Sequence, residues 1–485
     1  MTGNLKQKTI TGLVWSFIDS FSNLGIQFIV GIILAKILSP REFGLLGMIL
    51  IFTAIAQTIV DSGFSQALIR KKDCTQVDYS TVFYFNAVIG IIFTVLIFFA
   101  APVFSRFFKE PELVKMVQAL SVVVFISSVS IIQRTILTKR IDFRLQTRVS
   151  VIASVGSGVL AIWMAFNGYG VWSLVAQNLS KQGLNTILLW VWNRWFPSFD
   201  FSLKSFTGLF GFGSKLLISG LIESVYQNLY FLVIGKYFSA TELGYYSRAD
   251  QFNTLPSKNI TGVIQRVSYP VLVDMQGDLP RLRENYQKLI RSTTFVTFVL
   301  MVGMAATAKP LILALIGEIW LPSVIYLQML CFVGMFYPLH ALNLNMLQVM
   351  GRSDLFLKLE IIKKVFAVPV IIIGIFYGIK IMLIGMIVNT LIAFYLNSYY
   401  SGQLIGYSFF QQVKDIIPSF VVALIMGIPV FVIGYVLALP PAIVLTVQII
   451  SGGVIVFVIG ELIRQKDYTY IKNILLEKYR SYTGR

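Results

Sequence analysis

The sequence predicts an all-α polytopic membrane protein. Fourteen transmembrane helices are expected: two parallel six-helix repeats forming an N-lobe and a C-lobe, plus two extra C-terminal helices. Three observations lead there. Of 485 residues, 56% are hydrophobic and only 13% charged, and mean hydropathy is +0.77. Soluble domains carry about 25% charged residues, so this composition excludes a string of soluble domains. Apolar stretches near the roughly 20 residues that cross hydrocarbon recur along the whole chain. Two sequence motifs also return in its second half, the mark of a duplicated unit.

In the first repeat the stretches are expected at 10–34, 43–69, 80–101, 113–133, 146–166 and 169–192. In the second they are expected at 209–234, 243–270, 289–316, 324–349, 361–379 and 381–400. Two more follow at 416–437 and 442–463. The chain therefore divides into an N-lobe over 1–204, a C-lobe over 205–402, extra helices over 403–463 and a cytoplasmic tail over 464–485. The opening MTGNLKQKTITG runs into apolar sequence without a small-residue cleavage site, which reads as a retained first span. The tail is basic with interspersed Ile471, Ile474 and Leu475, a pattern suited to the inner leaflet.

Net charge is +18 and the pI is near 9.7. In a soluble chain such an excess suggests nucleic acid. Here it sorts by side of the membrane. Alternate connections gather Arg70, Lys71, Arg134, Lys139, Arg140, Lys181, Arg281, Arg283, Arg352 and Lys414 with both termini. The opposite side has far fewer, among them Lys36, Arg41, Arg106, Lys109, Lys236 and Lys380. The richer side faces the cytoplasm. Both termini are thus expected in the cytoplasm, with no nucleic-acid partner. Cys74 and Cys331 stand far apart and His340 is the single histidine, which argues against a disulfide framework and a multi-histidine metal centre.

The repeat is read from two motifs. Residues 35–45 are AKILSPREFGL and residues 235–245 are GKYFSATELGY. Lys36, Ser39, Glu42 and Gly44 match Lys236, Ser239, Glu242 and Gly244 without a gap. Farther on, Arg140 and Asp142 correspond to Arg352 and Asp354. Each repeat has an even number of spans, so the two halves share one orientation about an axis along the membrane normal.

One expected span is unusually polar. Residues 243–273, LGYYSRADQFNTLPSKNITGVIQRVSYPVLV, include Arg248, Asp250, Lys258 and Arg266. The alternatives are a long soluble loop and a helix lining a polar cavity. The charge asymmetry and the repeat favour the helix. Charge at bilayer depth is costly and normally faces protein or water. Within spans it is expected at Asp19, Asp61, Lys215, Glu223, Arg248, Asp250 and Lys258, the first two spans of each repeat. Lys215, Arg248 and Lys258 are the candidates for binding a diphosphate or glycan through charge-assisted hydrogen bonds. Asp19, Asp61, Glu223 and Asp250 are the candidates for coupling to protons or sodium, or for pairing with those cations. Simpler roles stand beside these: Lys215 and Arg248 snorkelling to an interface, Asp19 and Asp61 pairing or capping helices. His340 reads as a satisfied interior histidine. No phosphate loop, nucleophile elbow or metal-ligand cluster is found, so neither a cofactor nor an enzyme activity is expected.

The runs KILSPREFGLLGM, IVDSGFSQALIRKKD, ILTKRIDFR, GYGVWSLVAQ, LGYYSRADQFNTLPSKNITGVIQRVSYPVL and GEIWLP carry a family resemblance. They resemble the polysaccharide-transport branch of the multidrug/oligosaccharidyl-lipid/polysaccharide exporter superfamily, above all the Wzx-type (WzxC-like) lipopolysaccharide flippases. The resemblance covers residue 1 to about residue 440. It implies a two-lobe, fourteen-helix fold with a cavity lined by spans one, two, seven and eight, and alternating access without ATP. It implies an undecaprenyl-diphosphate-linked oligosaccharide as substrate, with a polysaccharide polymerase, glycosyltransferases and membrane lipids as partners. A multidrug or small-molecule antiporter and a lipid II flippase of the same superfamily are the alternatives.

Overall fold

The structure is a computed structural model, and it describes residues 2–463 except 62 and 72, then 467–469, 472, 473 and 476. Every regular element among them is helical. That is what long apolar sequence requires, because a helix satisfies its own backbone donors and acceptors where lipid offers none. Eleven helical stretches among the described residues are long and apolar enough to cross a membrane. The protein is a multi-pass membrane protein.

Two compact units divide at Gly244 and Tyr245. The first holds α1 (Thr2–Ile37), α2 (Pro40–Asp61), α3 (Phe64–Arg70), α4 (Gln76–Phe108), α5 (Leu113–Ser128), α6 (Ile131–Lys139), α7 (Phe143–Phe166), α8 (Val171–Asn193) and α9 (Leu203–Tyr237). In the sequence division α9 opens the C-lobe; by packing it lies against α2, α3 and α4 in the first unit. α10 (Ala240–Asp274) starts at the boundary. The second unit continues with α11 (Leu279–Ala306), α12 (Ala308–Leu315), α13 (Ser323–Met335), α14 (Tyr337–Val349), α15 (Ser353–Tyr377) and α16 (Ile379–Ile405). The added α17 (Phe409–Val436) packs on α11, and α18 (Pro441–Ile463) on α12 and α17.

Local chemistry sets the helix ends. Thr75 and Asp78 form a capping box at α4, and Ser408 and Gln411 form one at α17. Asp142 and Asp278 accept from Leu145 N and Arg281 N, both at 3.1 Å, to cap α7 and α11. The polar stretch over 243–273 is helical throughout, with Pro256 and Pro270 inside α10. Two of the expected spans are each a single candidate span, Leu113–Lys139 and Ser323–Val349, with an interruption inside the helix. Stretch 113–133 is interrupted between α5 and α6, where Ser128 and Ser130 hydroxyls donate back to Phe125 O and Ser127 O. Stretch 324–349 is interrupted at Phe336, ahead of Pro338 in the first turn of α14. Gly63 separates α2 from α3 at φ 68°, and a Cβ there would lie 2.6 Å from Gly213 O, so only glycine fits.

The first repeat motif straddles the α1–α2 break and its copy straddles the α9–α10 break. There the chain makes a reciprocal close approach. A Cβ on Gly44 would lie 1.6 Å from Ala240 O, and a Cβ on Gly244 would lie 1.9 Å from Pro40 O. Each glycine thus admits the backbone at the start of the other copy's helix. Arg352 and Asp354 form an exposed pair at 2.7 Å at the start of α15, and Arg352 holds the Asp354 carboxyl at about 2. Most of the tail, including Ile471, Ile474 and Leu475, lies outside the described residues. Asp467 is buried, accepting from Arg291 Nε at 3.0 Å and Ser419 Oγ at 3.3 Å. Burial pushes its carboxyl up, against the pull of Arg291.

Candidate functional site

A polar cavity of about 230 Å³ lies within the first unit. It is built by helical spacing. Asp19, Asn23 and Gln27 recur every four residues on α1, so they share one face. α7 packs between α1 and α8 and contributes Gln146, Val149 and Ser150. α8 contributes Lys181, Asn185 and Leu189, again at four-residue steps, and α6 contributes Arg134. Val149 and Leu189 are buried in a small apolar cluster with Leu137, which forms part of the wall.

Hydrogen bonds stitch α1 to α7 along this seam. Asn23 Nδ2 donates to Asp19 Oδ1 at 2.8 Å and to Ser150 Oγ at 2.9 Å. Ser150 Oγ donates to Asp19 Oδ1, and Ser154 Oγ donates to Asn23 Oδ1 at 2.6 Å. The Asp19 carboxylate is therefore held by neutral donors. Arg134 and Lys181 differ: among the described residues neither side chain makes a direct ion pair or donates a hydrogen bond. They act on one another at longer range, Arg134 also on Asp61 and Lys181 also on Asp19. Asn185 is 7% exposed, and among the described residues its Oδ1 has no hydrogen-bond partner. Chemically, the cavity offers two cations, one bound carboxylate, several amides and an aliphatic wall.

The seven residues singled out from the sequence fall in different places. Asp19 lines the cavity. Asp61 ends α2, accepts from Ser65 Oγ and lies on the electrostatic reach of Arg134. Lys215 and Glu223 are exposed on α9, outside the lining, and Glu223 accepts from Gln227 Nε2 at 2.8 Å. In α10, Arg248 is half-buried, while Lys258 is exposed and attracts Asp250, which lies beside Asn253 and Thr254. His340 Nδ1 meets Asn397 Nδ2 at 3.3 Å. Among the described residues no group of three or more His, Cys, Asp or Glu side chains could hold a metal.

Arg134, Lys181 and Asn185 were not anticipated as site residues. The sequence reading counts Arg134 and Lys181 as cytoplasmic topology charges and confines mid-span charge to the first two spans of each repeat. Lys181 corrects this, standing in the middle of α8. The signal was present: the expected span 169–192 contains it, and the rule applied to Lys258 applies equally there.

The profile of a family described as "Polysaccharide biosynthesis protein" matches residues 33–325. The chain is similar to the lipopolysaccharide biosynthesis protein WzxC of Escherichia coli (strain K12), 24% identical over 88% of this chain and 89% of that one. It is similar to the teichuronic acid biosynthesis protein TuaB of Bacillus subtilis (strain 168), 28% identical over 73% of each chain. Among solved structures, a lipid II flippase MurJ in an inward closed conformation superposes with TM-score 0.75 at 16% identity, covering 93% of this chain and 98% of that one. An inward-facing multidrug resistance MATE family transporter superposes with TM-score 0.61 at 16% identity, covering 81% of this chain and 98% of that one. At these identities the two superpositions speak for the fold.

Proposed function

The chain belongs to the polysaccharide biosynthesis protein family, and from that membership we propose that it is a flippase for a lipid-linked glycan precursor. The substrate is an undecaprenyl-diphosphate-linked oligosaccharide, the repeat unit of an O-antigen, capsule or exopolysaccharide. It is moved across the bacterial inner membrane and delivered to a polysaccharide polymerase, after glycosyltransferases have built it. The observation that carries this reading is the family match across 33–325.

The layout proposed is fourteen spans in two parallel repeats plus two helices, with both termini cytoplasmic. Eleven stretches already have the needed length and apolarity. The remaining long helices α8, α10 and α15 are 23, 35 and 25 residues long. At about 1.5 Å per residue each exceeds the ~30 Å of hydrocarbon. A helix with one polar face can cross lipid when that face is turned to protein or water, the arrangement expected of a transport path. In this reading Lys215, Arg248 and Lys258 receive the diphosphate or glycan. Asp19, Asp61, Glu223 and Asp250 couple alternating access to a proton or sodium gradient.

Deletion of the gene, with analysis of lipid extracts and surface glycan, tests the proposal. Accumulated lipid-linked repeat unit and loss of the surface polymer are expected. Unchanged glycan with new sensitivity to cationic compounds would replace the flippase with a multidrug antiporter. Accumulated lipid II with cell lysis would replace its substrate.

A further inference from the structure

We infer that the strap joining α8 to α9, residues 194–202, is a membrane anchor. It seats Phe196, Phe199 and Phe201 in the headgroup layer of the leaflet that faces the cytoplasm in the proposed layout. The inference rests on that layout and not on the substrate, and its geometry lies within the first unit.

The backbone of the strap is tied down by its polar atoms, which turn inward. Gln76 Nε2 donates to Phe196 O at 2.6 Å, and Gln133 Nε2 donates to Trp195 O at 2.8 Å. Ser198 N donates to Ser80 Oγ at 2.9 Å, and Ser202 N donates to Thr81 Oγ1 at 3.0 Å. Ser80 and Thr81 are fully buried. Trp195 turns inward as well: its Nε1 donates to Gln76 Oε1 at 2.8 Å, and its ring belongs to the buried cluster of Phe64, Phe83 and Leu209. A strap held through its amides and carbonyls has little freedom to tuck its other side chains under itself.

Those other side chains are apolar and bare. Phe196 is 65% exposed, Phe199 100%, Phe201 53%, and Leu203, which opens α9, 71%. Single exposed apolar residues are ordinary. Four within one short strap form a patch of the kind that marks an interaction surface. Its position names the occupant. Gln76, Ser80 and Thr81 belong to the first two turns of α4, and Leu203 begins α9. Both helices are long and apolar enough to cross a membrane. The strap therefore runs beside the ends of two spans, where the headgroup layer is about 5–7 Å deep. Exposed apolar residues continue along the chain on both sides, at Val191 of α8 and Phe210 of α9. Lipid already occupies that depth, whereas a protein partner would have to displace it. Arg194 and Lys204 flank the strap and Asp200 lies between them, all three exposed. The net positive charge suits anionic headgroups.

Photo-crosslinking on the full-length protein tests the anchor, with adducts identified by mass. Phe199→p-benzoylphenylalanine places the probe on a fully exposed side chain, so the fold does not depend on it. Phe99→p-benzoylphenylalanine, at an exposed position inside α4, is the lipid-facing control. In native membranes, phospholipid adducts at 199 are expected in a yield comparable to that at 99. In nanodiscs of equal phosphatidylcholine and phosphatidylglycerol, the anionic lipid should be over-represented at 199. Arg194→Gln together with Lys204→Gln should reduce that excess by roughly twofold or more. Adducts at 199 with another polypeptide, or no lipid adduct there while 99 gives one, would overturn the anchor. Capture of the two lipids in equal proportion would overturn the role of Arg194 and Lys204. Lipid adducts at neither position would remove α4 as a span, and the inference with it. Glycan export is not read in this experiment, so the anchor and the flippase reading fail separately.

Discussion

Gly44→Ala is the sharpest perturbation the structure offers. Its new Cβ would lie 1.6 Å from Ala240 O, 2.5 Å from Ala240 C and 3.0 Å from Ala240 Cα. Ordinary contact begins at 3.4 Å, so the first turn of α10 must retreat by about 1.8 Å, the difference between 3.4 and 1.6 Å. A side chain could rotate away, but a backbone carbonyl moves only with its helix. Overpacking of this kind costs about 1–3 kcal/mol. Gly244→Ala places its Cβ 1.9 Å from Pro40 O and demands about 1.5 Å by the same subtraction. Because one separation of the two helix starts relieves both clashes, the double variant should cost less than the sum of the singles. Thermal unfolding in nanodiscs measures this, with Gly453→Ala as control. Gly453 is helical and has nothing within 4 Å of its would-be Cβ, so alanine there should stabilise by about 0.5–1 kcal/mol. If Gly44→Ala and Gly244→Ala unfold like the parent, the reciprocal contact does not hold the two helix starts together. Strict additivity in the double variant would mean that the two contacts are independent.

Three further outcomes are expected. Lys258→Ala should abolish or strongly reduce glycan export with the protein still in the membrane; normal surface glycan in that variant removes the residue from the transport path. Asp61→Asn should change the dependence of transport on the proton or sodium gradient; a parent protein indifferent to both gradients ends the coupling proposal for all four acids. Gln412 and Asn343 are fully buried and exchange amide hydrogen bonds at 3.1 Å each way. Asn343 also donates to Leu339 O at 2.9 Å and accepts from Ser401 Oγ, so Gln412→Leu removes two bonds without stranding it and should cost about 1–3 kcal/mol; thermal unfolding indistinguishable from the parent contradicts the pairing.

The features legible in the sequence were those written in consecutive residues. Apolar length marked helices able to cross lipid, and the repeated motifs at 35–45 and 235–245 fall at the matching breaks that α1–α2 and α9–α10 show. The mixed polar pattern of residues 243–273 was read as helix against its low apolarity, and α10 is continuous through it. Less legible were the breaks inside stretches 113–133 and 324–349. Their interruption depends on serine hydroxyls turning back to nearby carbonyls and on one proline, signals that an apolar window averages away. The packing of α9 with α2, α3 and α4 could not be read either, since sequence order says nothing about which neighbour a helix chooses.

The cavity was hidden for a different reason. Its lining comes from four helices, and Asp19 and Lys181 approach only because α7 brings α1 and α8 together on its two sides. Counting Lys181 toward the cytoplasmic charge used it as an address. Topology counts should include only cations that can reach an interface, and a lysine in the middle of α8, four residues from a buried asparagine, does not meet that test. Removed from the count, Lys181 leaves the charge asymmetry almost unchanged, because many other residues carry it. Asp19 has the same ambiguity in reverse: as a lone acid in the first span it suggested coupling or pairing. Its carboxylate accepts from Asn23 and Ser150 and acts on Lys181 at longer range.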